Sequence, residues 1–258
     1  MAAWRRFSPT WESLGRANAF GAVLTHANGQ LGSWNSAEFF ETGRADAARF
    51  AADATMRVPS APRTRALDFG CGVGRVTRAL TEHFDEVVGV DAAASMIDRA
   101  RALNRDHPCT FVLNQAPDLR GFATASFTAI YSRLVLQHIP PALVRRYIPE
   151  LVRVLAPGGA LMFQLPEIIG VDARQGVGRL PLLGAIKRHT PWPVVVVWRR
   201  AKCRLSRRDA VSQMTMFGMQ REEVEHLVAA TGGRLIDVRT DMSHGCDRAA
   251  GFAYWVTR

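Results

Sequence analysis

The chain has 258 residues, of which 48% are apolar and 22% charged, with a formal net charge of +10. That length and balance predict one folded unit with a substantial core, and no stretch reaches the ~20 apolar residues that a membrane-spanning helix needs. Four scattered cysteines (Cys71, Cys109, Cys203, Cys246) with no CxxC or Cys/His spacing predict neither a disulfide framework nor a zinc site.

The N-terminal MAAWRRFSPTWESLGR has two early arginines but no clean apolar run behind them, so no signal segment is expected and the protein is read as cytoplasmic. Residues 35–54 (NSAEFFETGRADAARFAADA) read as a helix. Arg65–Phe69 (RALDF) is a short apolar strand ending at glycines, followed by a helical pattern over Arg75–Phe84. Glu86–Val90 is a second strand and Ser95–Leu103 a second helix. Cys109–Leu113 and Phe127–Ser132 are further strands. After Pro140-Pro141, which pre-set a first helical turn, Leu143, Val144, Tyr147, Ile148, Leu151 and Leu155 recur at helical spacing. APGG then punctuates, and Ala160–Leu165 (ALMFQL) is a near-continuous apolar run, as expected of a buried parallel strand. The pattern resumes with a helix over Arg221–Thr231 and strands over Arg234–Thr240 and Phe252–Thr257. Strands alternating with helices predict an α/β open sheet.

Two motifs carry chemistry. The first is LDFGCGVGRVTRAL (Leu67–Leu80), with Gly70, Gly72 and Gly74 at a strand-to-helix turn. In a βαβ unit such a turn lets the backbone approach a ligand beyond the strand ends. The order is GxGxG followed by Arg75, without the later glycine of the dinucleotide fingerprint, and no Lys-Ser/Thr pair follows as a Walker loop requires. The second is Asp91, which ends the next strand seventeen residues beyond Gly74. A carboxylate there can accept bonds from two ribose hydroxyls; its purely structural alternative is to cap the following helix. Asp68, inside the first strand, is costly to bury unless satisfied, and is expected to hold the loop or a cationic part of a ligand.

LDFGCGVGRVTRAL, VVGVDAAASMIDRAR, SFTAIYSRLVLQHIP and LVRVLAPGGALMFQLP, in this order over Arg65–Pro166, resemble the class I S-adenosylmethionine-dependent methyltransferases. The resemblance implies a seven-stranded, mostly parallel Rossmann-like sheet with helices on both faces and an antiparallel last strand. It implies S-adenosyl-L-methionine as cofactor. Asp68, Gly70, Cys71, Gly72 and Gly74 would cradle its amino-acid part, Asp91 its ribose, and Ala92, Met96, Gln115 and Ala116 its adenine, with Ser132 close by. Gln115 stands where the family often has Asp, and Thr128 where it often has Asp after Ser-Phe. Residues 1–60 would form an N-terminal helical lid segment, WNSAEFFETG resembling the part that closes over the cofactor, with Glu38, Phe39 and Phe40 in the lid or in the core. Residues 61–258 would form the core, with 167–212 a basic cap inserted after the fifth strand.

A sulfonium methyl is already a strong electrophile, so catalysis is expected to consist mainly of alignment, with a base where a hydroxyl must be deprotonated. His138, in LQHIP beyond the fourth strand, is the leading base; His244 and Asp241, between the last two strands, are weaker ones. Packing or helix capping is the structural alternative for each. The expected acceptor is a small-molecule or lipid- or sugar-linked hydroxyl. The segment Ile169–Arg208 holds ten Lys/Arg against the single acid Asp172, so the charge excess is local. Residues 187–208, with two tryptophans among the cations, suit an anionic acceptor or peripheral contact with an anionic membrane. The segment lacks the serial stacking aromatics of nucleic-acid binders. An RNA methyltransferase is the rival within the class; a non-catalytic cofactor-binding protein or a dinucleotide oxidoreductase is the rival outside it.

Overall fold

The computed structural model describes residues 2–24, 34–169, 216–241 and 249–258. Helices α1 (Ala2–Val23) and α2 (Ser36–Arg57) precede β1 (Arg65–Phe69), α3 (Thr77–Leu80), β2 (Glu86–Asp91), α4 (Ala94–Leu103), β3 (Cys109–Leu113) and β4 (Phe127–Ser132). A 3-10 turn (Leu136–His138), α5 (Pro141–Val154), β5 (Leu155–Ile169), α6 (Arg221–Ala229), β6 (Arg234–Asp241) and β7 (Ala249–Thr257) follow.

The strands form one seven-stranded sheet in the order β3-β2-β1-β4-β5-β7-β6. β1 pairs in parallel with β2 and β4, β2 with β3, and β4 with β5, while β7 runs antiparallel to both β5 and β6. The expected mostly parallel sheet with an antiparallel last strand is therefore present. β1 and β4 are buried almost along their whole length, which is why they read as continuous apolar runs. One face is covered by α5 and α6 through residues such as Tyr147, Ile148, Leu151 and Val224. The other meets α2 and the β1–β2 connection through Phe50, Ala54, Leu80, Phe84 and Trp255.

The chain winds outward from β1 through β2 to β3, then returns to place β4 on β1's other side. Because these strands are parallel, their carboxyl ends share one edge, and the crevice between β1 and β4 is where open α/β sheets bind ligands.

The element expectations hold with three differences. α1 is expected only as an undivided part of a helical segment over residues 1–60, although Trp11, Leu14, Gly15, Asn18, Ala19 and Ala22 form a stripe at 3-4 spacing; Gly15 and Gly21 lower the helix propensity of this stretch. The helix expected over Arg75–Phe84 is regular only over Thr77–Leu80, the glycine turn taking up its start. β5 begins at Leu155 instead of Ala160, because Leu155 pairs with Phe127 and a register shift between Phe127 and Ala129 absorbs the Pro-Gly-Gly. The basic stretch 187–208 and His244 lie outside the described residues. Among the described residues no helix is long and apolar enough to cross a membrane.

Candidate functional site

An open cleft of about 950 Å³ lies at the carboxyl edge of the sheet. Its floor is Asp68, Phe69, Gly70, Cys71 and Gly72 from β1 and its loop, with Val90, Asp91 and Ala92 from β2. Arg133, Leu134, Val135 and His138 after β4 form one wall, and Trp11, Ala22 and Val23 of α1 the roof.

Gly70, Gly72 and Gly74 all adopt left-handed backbone, with φ of 82°, 54° and 82°. Glycine is required here for space as well: a Cβ on Gly70 would lie 2.4 Å from Val135 Cγ1, and one on Gly72 2.6 Å from Val23 Cγ2. The loop is thus squeezed between α1, β4's extension and the cleft, leaving its backbone to face a ligand.

Asp91 is fixed by that backbone. Gly72 N–H donates to its Oδ2 at 3.0 Å and Ala93 N–H to its Oδ1 at 2.9 Å. Burial pushes its pKa up, against the lowering effect of the backbone donors of Ala93, Gly72 and Ala92. The capping and ligand readings of Asp91 are compatible, since its backbone donors leave acceptor capacity on a carboxylate with about four lone-pair sites. Asp68 accepts from Thr77 Oγ1 at 2.7 Å. Burial raises its pKa to about 6, against the opposing pull of the Thr77 hydroxyl and of Arg75. A cationic group in the cleft would relieve that penalty. Left-handed glycines, a backbone-held acid and a buried acid seeking a cation together fit the nucleoside and amino-acid parts of S-adenosylmethionine.

Ala92 and Met96 also line the cleft, and buried Cys71 does so with its thiol pushed far up by burial. Gly74 stays behind the floor, its N–H bonded to Cys71 O at 2.9 Å. Gln115 and Ala116 are not among the lining residues; Asn114 is, and Ala116 O accepts from Tyr147 Oη at 2.6 Å. Ser132 is fully buried behind the wall. His138 lies in the cleft, its Nε2 3.1 Å from Gln137 Nε2 and its ring edge-on to Trp11 with centroids 5.0 Å apart. Asp241 ends β6 and does not itself line the cleft, although its charge acts on the wall residue Arg133.

Phe39 and Phe40 are buried in a cluster with Leu14, Ala19, Ala22, Val73, Ala93 and Met96, whereas Glu38 is exposed. Within the N-terminal region it is α1 whose residues roof the cleft. α1 is tied down at α4: Glu12 Oε2 accepts from Ser95 N–H at 3.1 Å and Glu12 O from Ser95 Oγ at 3.0 Å. The side-chain contact caps a helix that has no cap of its own. Asn18 breaks the helical backbone of α1, and its Oδ1 accepts from Gly21 N–H at 3.0 Å, restarting the helix toward Ala22 and Val23.

Sequence reasoning also missed Arg133. It bonds Asp46 of α2, which bonds Arg75 as well. Nothing in the linear spacing of positions 46, 75 and 133 signals that they meet. Among the described residues no group of three or more His, Cys, Asp or Glu is arranged to hold a metal.

Residues 67–163 match the model of a methyltransferase domain family. A trans-aconitate 2-methyltransferase of Methylobacterium radiotolerans is 33% identical over 177 residues, covering 64% of this chain and 60% of that protein. A malonyl-[acyl-carrier protein] O-methyltransferase of Herminiimonas arsenicoxydans is 36% identical over 115 residues, covering 44% of this chain and 41% of that protein. The chain thus spans between about two-fifths and three-fifths of the length of these curated relatives. Among solved structures, a SAM-dependent methyltransferase of Leishmania major superposes with a TM-score of 0.63 at 13% identity, covering 98% of this chain and 82% of that one. Sheet order, glycine turn and the match over residues 67–163 agree in supporting a methyltransferase domain of the class I, S-adenosylmethionine-dependent kind.

Proposed function

We propose that the protein binds S-adenosylmethionine in the cleft and transfers its methyl group to an oxygen of a small or carrier-linked acceptor. The observation that carries this reading is Asp91, held by Gly72 N–H and Ala93 N–H beside three left-handed glycines. Asp68 and the loop of Gly70, Cys71, Gly72 and Gly74 would hold the amino-acid end. Asp91 would take the ribose, and Ala92, Met96 and Asn114 would flank the adenine. The cofactor supplies a methyl group activated by a sulfonium. What remains for the chain is to hold the acceptor oxygen in line and exclude water, the role of the wall after β4 and the α1 roof. For a hydroxyl acceptor, His138 of that wall would be the base; an acceptor that arrives ionised would need none. The relatives named for trans-aconitate and malonyl-[acyl-carrier protein] support a small or carrier-linked acceptor.

Titration calorimetry checks the cofactor. S-adenosylhomocysteine is expected to bind with micromolar or better affinity and NAD not at all; the reverse result refutes the reading in favour of a dinucleotide enzyme.

The same titration carries a pH signature. Asp68 in the folded protein ionises near pH 6 instead of 3.8. The folded state therefore holds this proton more tightly than the unfolded chain, and it loses relative stability as pH rises from about 4 to about 6. A cationic amino group beside Asp68 reverses the shift, so binding should release a proton between about pH 5 and 6 and none at pH 7.5. Binding enthalpies measured at pH 5.5 in two buffers of different ionisation enthalpy should differ. Buffer-independent enthalpies would separate Asp68 from the ammonium site, and Asp68→Asn should abolish the difference.

A further inference from the structure

We infer that the methyl acceptor is a carboxylate, held on the β4 side of the cleft by Arg133, with Asp46 as the residue that positions this arginine. This rests on the proposed methyl-transfer reading and narrows it to a substrate class.

The sheet order separates two halves of the cleft. The glycine turn and Asp91 occupy the β1–β2 half, whereas Arg133 stands at the end of β4, beyond β1 on the side of β5. Arg133 Nη1 donates to Asp46 Oδ1 at 2.8 Å, and Arg75 Nη2 donates to Asp46 Oδ2 at 2.8 Å. One carboxylate, 12% exposed, is thus shared by two guanidiniums whose side chains are 7% (Arg75) and 22% (Arg133) exposed. Burial works against the Arg133 charge, but the neighbouring Tyr131, Asp46 and Asp241 outweigh it and raise its pKa. The Arg133 backbone is held as well: the next residue, Leu134, has φ of 61°, and its N–H donates to Gln164 Oε1 at 2.9 Å. A non-glycine residue in left-handed backbone is strained, and strain of this kind collects where a side chain must be aimed. A guanidinium fixed in this way is a planar, multi-donor partner for a carboxylate.

The rest of the lining offers donors more than bases. Burial pushes the phenols of Tyr131 and Tyr147 above their ordinary range, so both stay protonated. The Cys71 thiol is pushed up too, Asp68 is engaged with Thr77, and Asp91 with the backbone of Gly72 and Ala93. His138 packs against Trp11 with its Nε2 beside the Gln137 amide. A carboxylate arrives already ionised at neutral pH and makes no demand on any of these groups. The acceptor names of the two curated relatives, trans-aconitate and a malonyl thioester, are both acids. In the transfer, one carboxylate oxygen forms the bond to the methyl carbon while the electron pair of the methyl–sulfur bond stays on sulfur. The products are a neutral methyl ester and a neutral thioether, and no proton moves.

The test uses the full chain with methyl-tritiated S-adenosylmethionine and trans-aconitate, malonyl-N-acetylcysteamine, and the amide and alcohol counterpart of each. Methyl esters release volatile methanol in mild base, whereas methyl ethers and methylamines keep the label. The expected result is label in the acids only, all of it base-labile. Arg133→Gln should raise KM for the acid roughly 10- to 100-fold, the effect of losing hydrogen bonds to a charged group. Its affinity for S-adenosylhomocysteine should stay within about twofold, and Arg133→Lys should recover part of the loss. Asp46→Asn should raise KM less than Arg133→Gln, with the same base-labile product. Base-stable label, or no transfer to any acid while S-adenosylhomocysteine binds, overturns the inference and leaves the methyltransferase reading standing. Weakened S-adenosylhomocysteine binding in Arg133→Gln also overturns it, by giving the arginine to the cofactor's own carboxylate. Failure of the wild-type protein to bind S-adenosylhomocysteine refutes the underlying reading instead.

Discussion

Replacing Asp91 by Ala should lower the affinity for S-adenosylhomocysteine roughly 100- to 1000-fold while the protein stays folded. The two oxygens accept from Gly72 N–H and Ala93 N–H, and on the proposed reading they would accept from the ribose hydroxyls as well. A hydrogen bond to a charged acceptor contributes about 1.5–3 kcal/mol, so losing two near the lower end of that range accounts for about two to three decades of affinity. Stability should change little. The variant loses two backbone partners, but it also removes a carboxylate whose burial already disfavours its charged form. Asp91→Asn should behave more like Asp91→Ala than like the wild type, because the amide nitrogen it introduces cannot accept from a backbone N–H. Calorimetry and a thermal melt on the same samples decide the matter, and unchanged affinity with a normal melt would refute the ribose role.

Gly43→Ala should destabilise the protein, against the helix-propensity rule. Inside α2 that exchange ordinarily stabilises by about 1 kcal/mol. Here a Cβ would sit 2.1 Å from Arg75 O, a backbone atom that cannot swing aside. Overpacking of this kind typically costs about 1–3 kcal/mol, and a clash with fixed backbone falls at the upper end, so the clash wins by about 2 kcal/mol. For a chain of this size that corresponds to a fall in Tm of roughly 4–8 °C. Because Arg75 follows directly on the glycine turn, S-adenosylhomocysteine affinity should fall as well. A raised Tm would show that α2 does not dock on the turn as described.

These two positions show how unevenly the site was legible. Asp91 was legible as a site position because its information is local: a β-strand, an acid at its end and glycines one strand earlier bring the acid and the turn together, while the resemblance supplied the ligand. The same holds for Asp68 and for the strands Arg65–Phe69, Cys109–Leu113 and Phe127–Ser132, whose bounds the sequence predicts residue for residue. Gly43 was silent, since a glycine in a helix means nothing until the backbone that approaches it is known. Gln115 and Ala116 were placed by family position, yet the strand end turns Asn114 into the cleft instead. Trp11, Ala22 and Val23 were missed because α1 holds its stripe with glycines and small residues, a weak signal for burial.

The sequence by itself determined the alternation of strands and helices, the glycine turn and the acid of the second strand, and its resemblance to a known family pointed to the cofactor. Each of these is written within a few dozen neighbouring residues, where φ/ψ preference and hydrophobic period act directly on the local chain. Tertiary structure alone decided what surrounds the cofactor site. Asp46, Arg75 and Arg133 meet across 87 residues of chain because α2 docks on the turn and β4 lies beside β1. Their pairing depends on burial and charge balance, which have no sequence period. On the proposed reading, that assembled wall selects the acceptor, which is why the acceptor's class is written in the fold and not in any local motif.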